Sequence, residues 1–591
     1  RAALTAGTTY YIGVSGTGNS AYDPITGTGA VAGATGNYVL SAARASLPAI
    51  TITSPPAVSP TAGGTSIIFT VSLDQASASS VTVDYATADV TAVAGTDYTA
   101  ESGTLTFAPG QTEATITVPV LIDAAATTST TFDLNLTNPS SNALVDGGQA
   151  VGTITNLPVN NIAISSKSRA TYEDSNGHEV TISMSGPGTG TVSVVGSTAT
   201  GGAATDVTIT LVNTTDKSRL NVTTARNDTT TLNGLQIDGS LGLLSAAQAE
   251  MAGNLTVTGT IGSLILAGAS GEYTLSVQGT GAVGSLNLGN VSDLTVTSAE
   301  PLNTLTVKDW ANQLNTDVIT APSIRTLASS SDFAASVTIA GAINSVHVSG
   351  YITAGTWSAG SIKSLVAKGI ATGWTGKVAG AVGGMSIAQD DAGTLTAGSI
   401  GNVVIRETVD AGTITAGSIG NVRIGGNLSG GTISTTSVAG TGPSIRSLDV
   451  GGTVTNSDIF SAGTIDSVRA GAFNLSDVFA GVPSSVTALP TDTSAFVATA
   501  TTQPAEIGSF AVTGVRGAAV LFSETLVAAA TLGHVSVAKV DDNDAGLKFG
   551  FASESLVTFA DNQTGQKPFR WNDKLPTSEL SFEGDFVVRV L

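Results

Sequence analysis

The feature that most restricts how this chain can fold is a unit of about 20 residues that recurs through its second half. The clearest copies are Asp391-Ala-Gly-Thr-Leu-Thr-Ala-Gly-Ser-Ile-Gly-Asn-Val-Val-Ile405 and Asp410-Ala-Gly-Thr-Ile-Thr-Ala-Gly-Ser-Ile-Gly-Asn-Val-Arg-Ile424. In each unit an apolar residue is followed by apolar residues three and five positions on. The unit starts at Leu241, Ile261, Val283, Leu302, Ile324, Ile343, Ile362, Val382, Ile400, Ile419, Ile445 and Ile465, then again at Ile507 and Leu532 after an interruption. Positions +3 and +5 share one side of a strand, and the step to +3 needs a bend that Gly and Ser permit. A unit this short cannot bury its apolar side alone, so copies must stack about 4.8 Å apart and share a core. The spacing therefore predicts a β-helix (β-solenoid). Leucine-rich repeats share the period but need a Leu/Asn consensus that is absent, and propeller blades need about 40 residues. Position +2 is mostly Ser, Thr or Asn (Ser263, Ser285, Asn402, Asn421, Ser447), which predicts a hydrogen-bonded ladder along one corner.

The repeat accounts for an unusual composition. Of 591 residues only 11% are charged, 70 are Gly, none is Cys and three are His. Without Cys, thiol catalysis and cysteine-based metal sites are excluded. A net charge of −21 disfavours nucleic acid as partner. No apolar run reaches the ~18 residues of a membrane-spanning helix. The opening Arg1-Ala-Ala-Leu-Thr-Ala-Gly lacks the basic-then-apolar order of a signal peptide and predicts a processed or partial chain.

Ahead of the repeat the pattern changes to strands of strict alternation, such as Ile67-Ile-Phe-Thr-Val-Ser-Leu, Ala114-Thr-Ile-Thr-Val-Pro-Val and Phe132-Asp-Leu-Asn-Leu, with turn residues between them. That is the pattern of a β-sandwich. Val83-Asp-Tyr-Ala-Thr, Ala94-Gly-Thr-Asp-Tyr98, Gly103-Thr-Leu-Thr-Phe-Ala-Pro-Gly110 and Gly152-Thr-Ile resemble a Calx-beta domain. Leu4-Thr-Ala-Gly-Thr-Thr-Tyr-Tyr-Ile-Gly-Val-Ser-Gly16 and Gly36-Asn-Tyr-Val-Leu40 resemble the closing strands of bacterial pre-peptidase C-terminal domains. The expected fold is thus all-β, β-sandwich modules followed by a β-helix with a C-terminal cap. Residues 1–46 form a partial sandwich, 47–157 the Calx-beta-like sandwich, and 158–216 a small β module leading into the solenoid. Residues 217–481 are the coils, and 482–591 hold an inserted loop, the last coils and the cap.

The Calx-beta resemblance implies calcium, and Asp89, Asp97 and Asp123 match acidic positions of the family pattern. The resemblance is incomplete. Ser59-Pro-Thr-Ala-Gly stands where the family has a Glu, and Thr127-Thr-Ser-Thr-Thr replaces an acidic pair. Calcium takes six to eight oxygens, so the expectation is a degenerate site or a spacer. In the turn Glu173-Asp-Ser-Asn-Gly-His-Glu179, Asp174, Asn176 and Glu179 are oxygen ligands in prospect, though an exposed hairpin turn explains them as well. Asp391 and Asp410 sit at identical repeat positions, which predicts a stacked carboxylate pair roughly 5 Å apart, suited to a cation. Arg406, Glu407 and Arg423 belong to the same coils.

His178, His347 and His534 lie far apart and build no catalytic motif. Trp310, Trp357 and Trp374 are expected on outward or loop positions, where a cluster would form a sugar platform. Two functions follow. The first is a non-catalytic, secreted structural protein of a bacterial cell surface (surface layer, filament or adhesin) that meets its own copies, other surface proteins or glycans. The second is a carbohydrate-active enzyme or glycan binder that uses the β-helix face.

Overall fold

The structure, a computed structural model, describes residues 47–591 apart from 61–63, 124–128, 156–158, 197–203, 315, 437–442, 497–503, 542–547, 563–568, 573–578 and 582–584. The expected partial sandwich at 1–46 lies outside the described residues. Everything described is strand, turn or short 3-10 helix: an N-terminal β-sandwich and then a β-solenoid of about 16 turns.

The sandwich pairs two four-stranded sheets. Ala49–Thr53, Thr65–Leu73, Glu113–Val120 and Leu144–Val145 make one; Val81–Asp89, Ser102–Phe107, Thr130–Thr137 and Gln149–Ile154 make the other. Alternation turns Ile67, Phe69, Val71, Val81, Val83, Ile116, Val118, Phe132 and Leu134 inward as one core.

In the solenoid the sequence repeat and the strand register coincide. Val283 pairs with Leu302, Leu302 with Ile324 and Ile324 with Ile343; Val382, Ile400, Ile419, Ile445 and Ile465 continue the column. Ile465 then pairs directly with Ile507 and Ile507 with Leu532, so the interruption is an insertion between stacked coils. A coil has three short strands, for example Ile419–Ile424, Leu428–Ser429 and Thr432–Thr435, all parallel to their neighbours in the stack. The corner ladder forms: Asn421 Nδ2 donates to Asn402 Oδ1 at 2.9 Å, and Ser447 Oγ donates to Asn421 Oδ1 at 2.9 Å. Ser329, the one polar residue at position +5, is buried, and its hydroxyl donates to the Asp332 carbonyl at 2.9 Å.

Position +1 carries glycine in many coils, with the backbone of the preceding coil directly against it. A Cβ on Gly284 would lie 1.7 Å from the Gly262 carbonyl oxygen, a backbone atom with no freedom to yield. Gly284→Ala is therefore expected to cost about 2 kcal/mol or more, as overpacking does. Urea denaturation measures it; a cost below ~0.5 kcal/mol would show that the coils can part there.

Both ends of the stack are closed. At the start, Asp206–Thr214 pairs antiparallel with Thr189–Val195 but parallel with Gly234–Gly239. Arg219–Thr224 pairs antiparallel with Glu179–Ser185 but parallel with Leu243–Met251. Antiparallel hairpins thus turn into coils without a break, and one core runs from Ile164 to Val590. At the far end Phe473, Phe510, Phe522, Phe549, Phe551, Phe559 and Phe586 pack ring to ring inside the last coils. Phe569–Asn572 and Glu579–Ser581 add antiparallel strands there, which ends the open parallel edge.

The tryptophans correct the sequence expectation. Trp310, Trp357 and Trp374 are each 1% exposed, inside the solenoid. With Phe333 they form an edge-to-face column, with centroids 5.5 Å (Trp310–Phe333), 5.8 Å (Phe333–Trp357) and 5.7 Å (Trp357–Trp374) apart. The repeat pattern describes only the first strand of a coil. The other two strands alternate in a phase set by corner length, and that phase turns the indoles inward.

Candidate functional site

At one end of the sandwich the Calx-beta-like acids build a loop. Asp89 Oδ1 accepts the Tyr98 hydroxyl at 2.6 Å and the Ala94 amide at 2.9 Å. Asp97 Oδ2 accepts the Val93 amide at 2.8 Å, and its Oδ1 faces the Thr130 hydroxyl at 3.4 Å. The Leu121 amide donates to the Asp97 carbonyl, which brings Asp123 to the same end. Among the described residues no three acidic or imidazole groups converge as a metal site. Asp89 and Asp97 already accept hydrogen bonds from the loop, so the donor set as arranged falls short of a calcium shell. Tyr98 is buried and stacks on Phe132 with centroids 4.2 Å apart; burial, then the bond to Asp89, pushes its phenol up to about 12. Tyr98→Phe leaves the ring packed but removes the bond to the carboxylate. The expected loss is about 1–2 kcal/mol by thermal melting, and an unchanged melting point would mean that Asp89 finds another donor.

The Glu173–Glu179 turn is likewise self-satisfied on one side. Asp174 Oδ1 accepts the amides of Asn176 and His178, both at 2.9 Å, while Glu179 is exposed and pairs across the hairpin with Glu173. His178 lies between Asp174 (3.6 Å) and Asp228 (3.5 Å). His347 is exposed, and His534 Nδ1 meets the Thr558 hydroxyl at 2.9 Å.

The expected Asp391–Asp410 pair is not formed. Asp391 takes the inward position between Ile370 and Val409 in the stack and is 2% exposed, whereas Asp410 is exposed and pairs with Ser429. Only their backbones meet, through the Asp410 amide and Asp391 carbonyl at 3.0 Å. The cause is the corner before Thr394, one residue shorter than the corner before Thr413, while the flanking strands stay in register. The Asp391 carboxyl accepts the Gly393 amide at 3.1 Å, and burial pushes its pKa up to about 6.

A stacked pair does exist two coils further on. Asp458 pairs with Asp477 on the outer side of the third sheet. Burial raises both, and burial together with the charge of Asp458 takes Asp477 to about 6. The signal was present in the sequence as Ser457-Asp-Ile-Phe-Ser and Ser476-Asp-Val-Phe-Ala, 19 residues apart. These acids end a long hydroxyl face. One outward rank runs Thr375, Thr394, Thr413, Thr432, Asp458, Asp477; its companion runs Lys377, Thr396, Thr415, Ser434, Phe460, Phe479. The inserted arm covers the end of this face, where Val482, Leu489 and Phe496 pack on Phe479, Ala528, Ala552 and Val587. Arg589, buried, donates to the carbonyls of Leu489 (3.1 Å) and Pro490 (2.6 Å) and pins the arm.

Two grooves flank the arm. One of about 620 Å³ is bounded by Thr432, Ser434, Thr436, Phe460, Val482 and Pro483. The other, about 490 Å³, is bounded by Asp477, Thr487, Thr491, Glu524, Lys548 and Arg589. The first offers a half-exposed ring beside hydroxyls, and the second mixes both charges.

The Calx-beta domain family model matches residues 49–158, so that a Calx-beta domain occupies the sandwich. Among solved structures, the apo form of the Calx CBD1 domain matches at 24% identity, over 19% of this chain and 97% of its own, with TM-score 0.17. CBD12 of CALX1.2 matches at 19% identity, over 23% and 56% of the two chains, with TM-score 0.18. The calcium binding domain CBD12 of CALX1.1 matches at 14% identity, over 25% and 80%, with TM-score 0.17. None of the curated proteins matches the chain. No helix is long and apolar enough to cross a membrane among the described residues.

Proposed function

We propose that this chain is a non-catalytic structural protein of a bacterial cell exterior, a surface-layer, filament or adhesin component. The Calx-beta sandwich acts as a spacer and the solenoid as a rod that meets its own copies or other surface molecules. The observation that carries this reading is one apolar core running unbroken from Ile164 to Val590 behind a sheet face of outward Thr and Ser. Stacking of this kind suits reach and stiffness. The buried carboxylate of Asp391 serves the coil, where it holds the Gly393 amide, and Asp317 likewise accepts Trp310 Nε1 at 2.6 Å. Immunogold labelling of intact source cells, with negative-stain imaging of the purified chain, tests the proposal. Surface label and rods or ordered arrays support it; label confined to the cell interior overturns it.

A second reading, contact with glycans on the β-helix face, is favoured by the groove at Phe460, where a ring and hydroxyls share one wall-bounded surface.

A further inference from the structure

We propose that the groove beside Phe460 holds an uncharged, extended glycan whose chain lies along the solenoid axis on the ranks Thr394–Thr413–Thr432 and Thr396–Thr415–Ser434. This rests on the glycan-contacting reading above. Pairing of Thr394 with Thr413 and of Thr413 with Thr432 places equivalent hydroxyls one coil apart, about 4.8 Å. The Thr415 and Ser434 hydroxyl oxygens lie 2.9 Å from each other across that step. An extended β-linked hexose chain advances by about the height of one coil per sugar, so successive sugars meet the same pair of hydroxyls. Within a strand the two ranks are two residues apart, roughly 6.6 Å, which matches the breadth of a pyranose ring rather than its edge.

The ranks change character where the groove gains its wall. Ser434 is followed by Phe460 in the next coil, and Val482, Pro483 and Ser484 of the arm rise beside it. The half-exposed Phe460 ring is braced from behind by Phe479, with centroids 5.6 Å apart, and offers an apolar face to the C–H groups of a sugar. Next to it Asp458, which follows Thr432, offers acceptors to sugar hydroxyls. A concave site with an apolar floor and a few convergent polar groups is the usual form of a small-ligand site.

Charge selects the class of glycan. No cation lines this groove among the described residues, the stacked Asp458 and Asp477 end the rank beside it, and the chain carries −21 overall. A polyuronate lying on the ranks would meet like charge at Asp458 and Asp477, where they end beside the groove, so the ligand is neutral.

Calorimetry on the full chain with cellohexaose and N-acetylchitohexaose as neutral probes, cellobiose as the short probe and hexagalacturonate as the acidic one tests this. One neutral hexaose at least is expected to bind tenfold or more tighter than cellobiose, and hexagalacturonate is expected to give no heat. Ser434→Arg, which extends into the groove from the outer side of the sheet, and Phe460→Ala should each weaken binding at least tenfold. Thr256→Arg, far along the same face, should not. Should a hexaose bind and Ser434→Arg leave its affinity unchanged, the groove is the wrong place while the glycan-contacting reading survives. Absence of heat with both neutral hexaoses at millimolar concentration sinks the groove and that reading together.

Discussion

Replacing Asp391 with asparagine is expected to stabilise the solenoid at pH 8 by about 2–3 kcal/mol and to leave it almost unchanged at pH 3. The carboxyl sits in an apolar column between Ile370 and Val409, and burial raises its pKa from the ordinary 3.8 to about 6. Below 3.8 the group is protonated whether the chain is folded or not, and its stability contribution is intact. As pH rises from 3.8 to 6 the unfolded chain ionises while the folded chain holds its proton, so stability falls. Above 6 the loss is complete. Two pH units at about 1.4 kcal/mol each give about 3 kcal/mol, and the buried amide that replaces the carboxyl costs part of that gain. Asparagine keeps an oxygen for the Gly393 amide, which isolates the effect of charge. Asp317 and Asp477, both also raised to about 6, titrate identically in the two proteins and cancel. Urea denaturation of both proteins from pH 3 to pH 8 provides the check. If the difference between them does not vary with pH, Asp391 is not buried as a neutral acid.

The second large effect is expected at Trp357. The indole is buried between Phe333 and Trp374, and its Nε1 donates to the Ala335 carbonyl at 3.1 Å. Trp357→Ala removes the middle of the aromatic column from coils whose backbones are hydrogen-bonded above and below, so little collapse is available to fill the void. The expected cost is about 4 kcal/mol, with the ring-edge contacts adding to the area lost. Because each coil touches only its neighbours, the damage should stay local. Amide exchange should quicken most in Ser336–Ile387 and change little in the Phe-rich coils after Phe510. Uniformly faster exchange along the whole solenoid would mean that it unfolds as a single cooperative unit, and this expectation would fail.

The hydroxyl face and the arm divide the work between sequence and fold. The Asn402–Asn421–Ser447 ladder was legible because position +2 belongs to the same strand that defines the repeat. The Asp458–Asp477 pair is equally legible in its two matching segments, although the sequence flanking Asp391 and Asp410 is the better matched of the two. Sequence identity of two copies does not ensure equal corners: one residue fewer ahead of Thr394 slides Asp391 into the place that Val409 occupies in the next coil. The same limit hid the three tryptophans. Trp310 lies in Leu302–Ala311 and Trp357 and Trp374 in Ser336–Ile387, strands that run on through corners, so no single alternation carries from the first strand of the coil to the indoles.

By itself the sequence determined that the second half stacks as coils of about 20 residues and that the repeat resumes at Ile507 after an interruption; the structure pairs Ile507 directly with Ile465. A repeat encodes its own pairing, since each strand finds its equivalent one period away. It also determined the sandwich, because alternation of buried and exposed residues over several strands admits one inward face. Only the tertiary structure decided which acids stand inside, which stand on a common outer face, and what bounds the groove at Phe460. These depend on corner length and on contacts with no period, such as Arg589 bonded to Leu489 a hundred residues earlier. Such contacts form only after the coils have stacked and the arm has somewhere to lie.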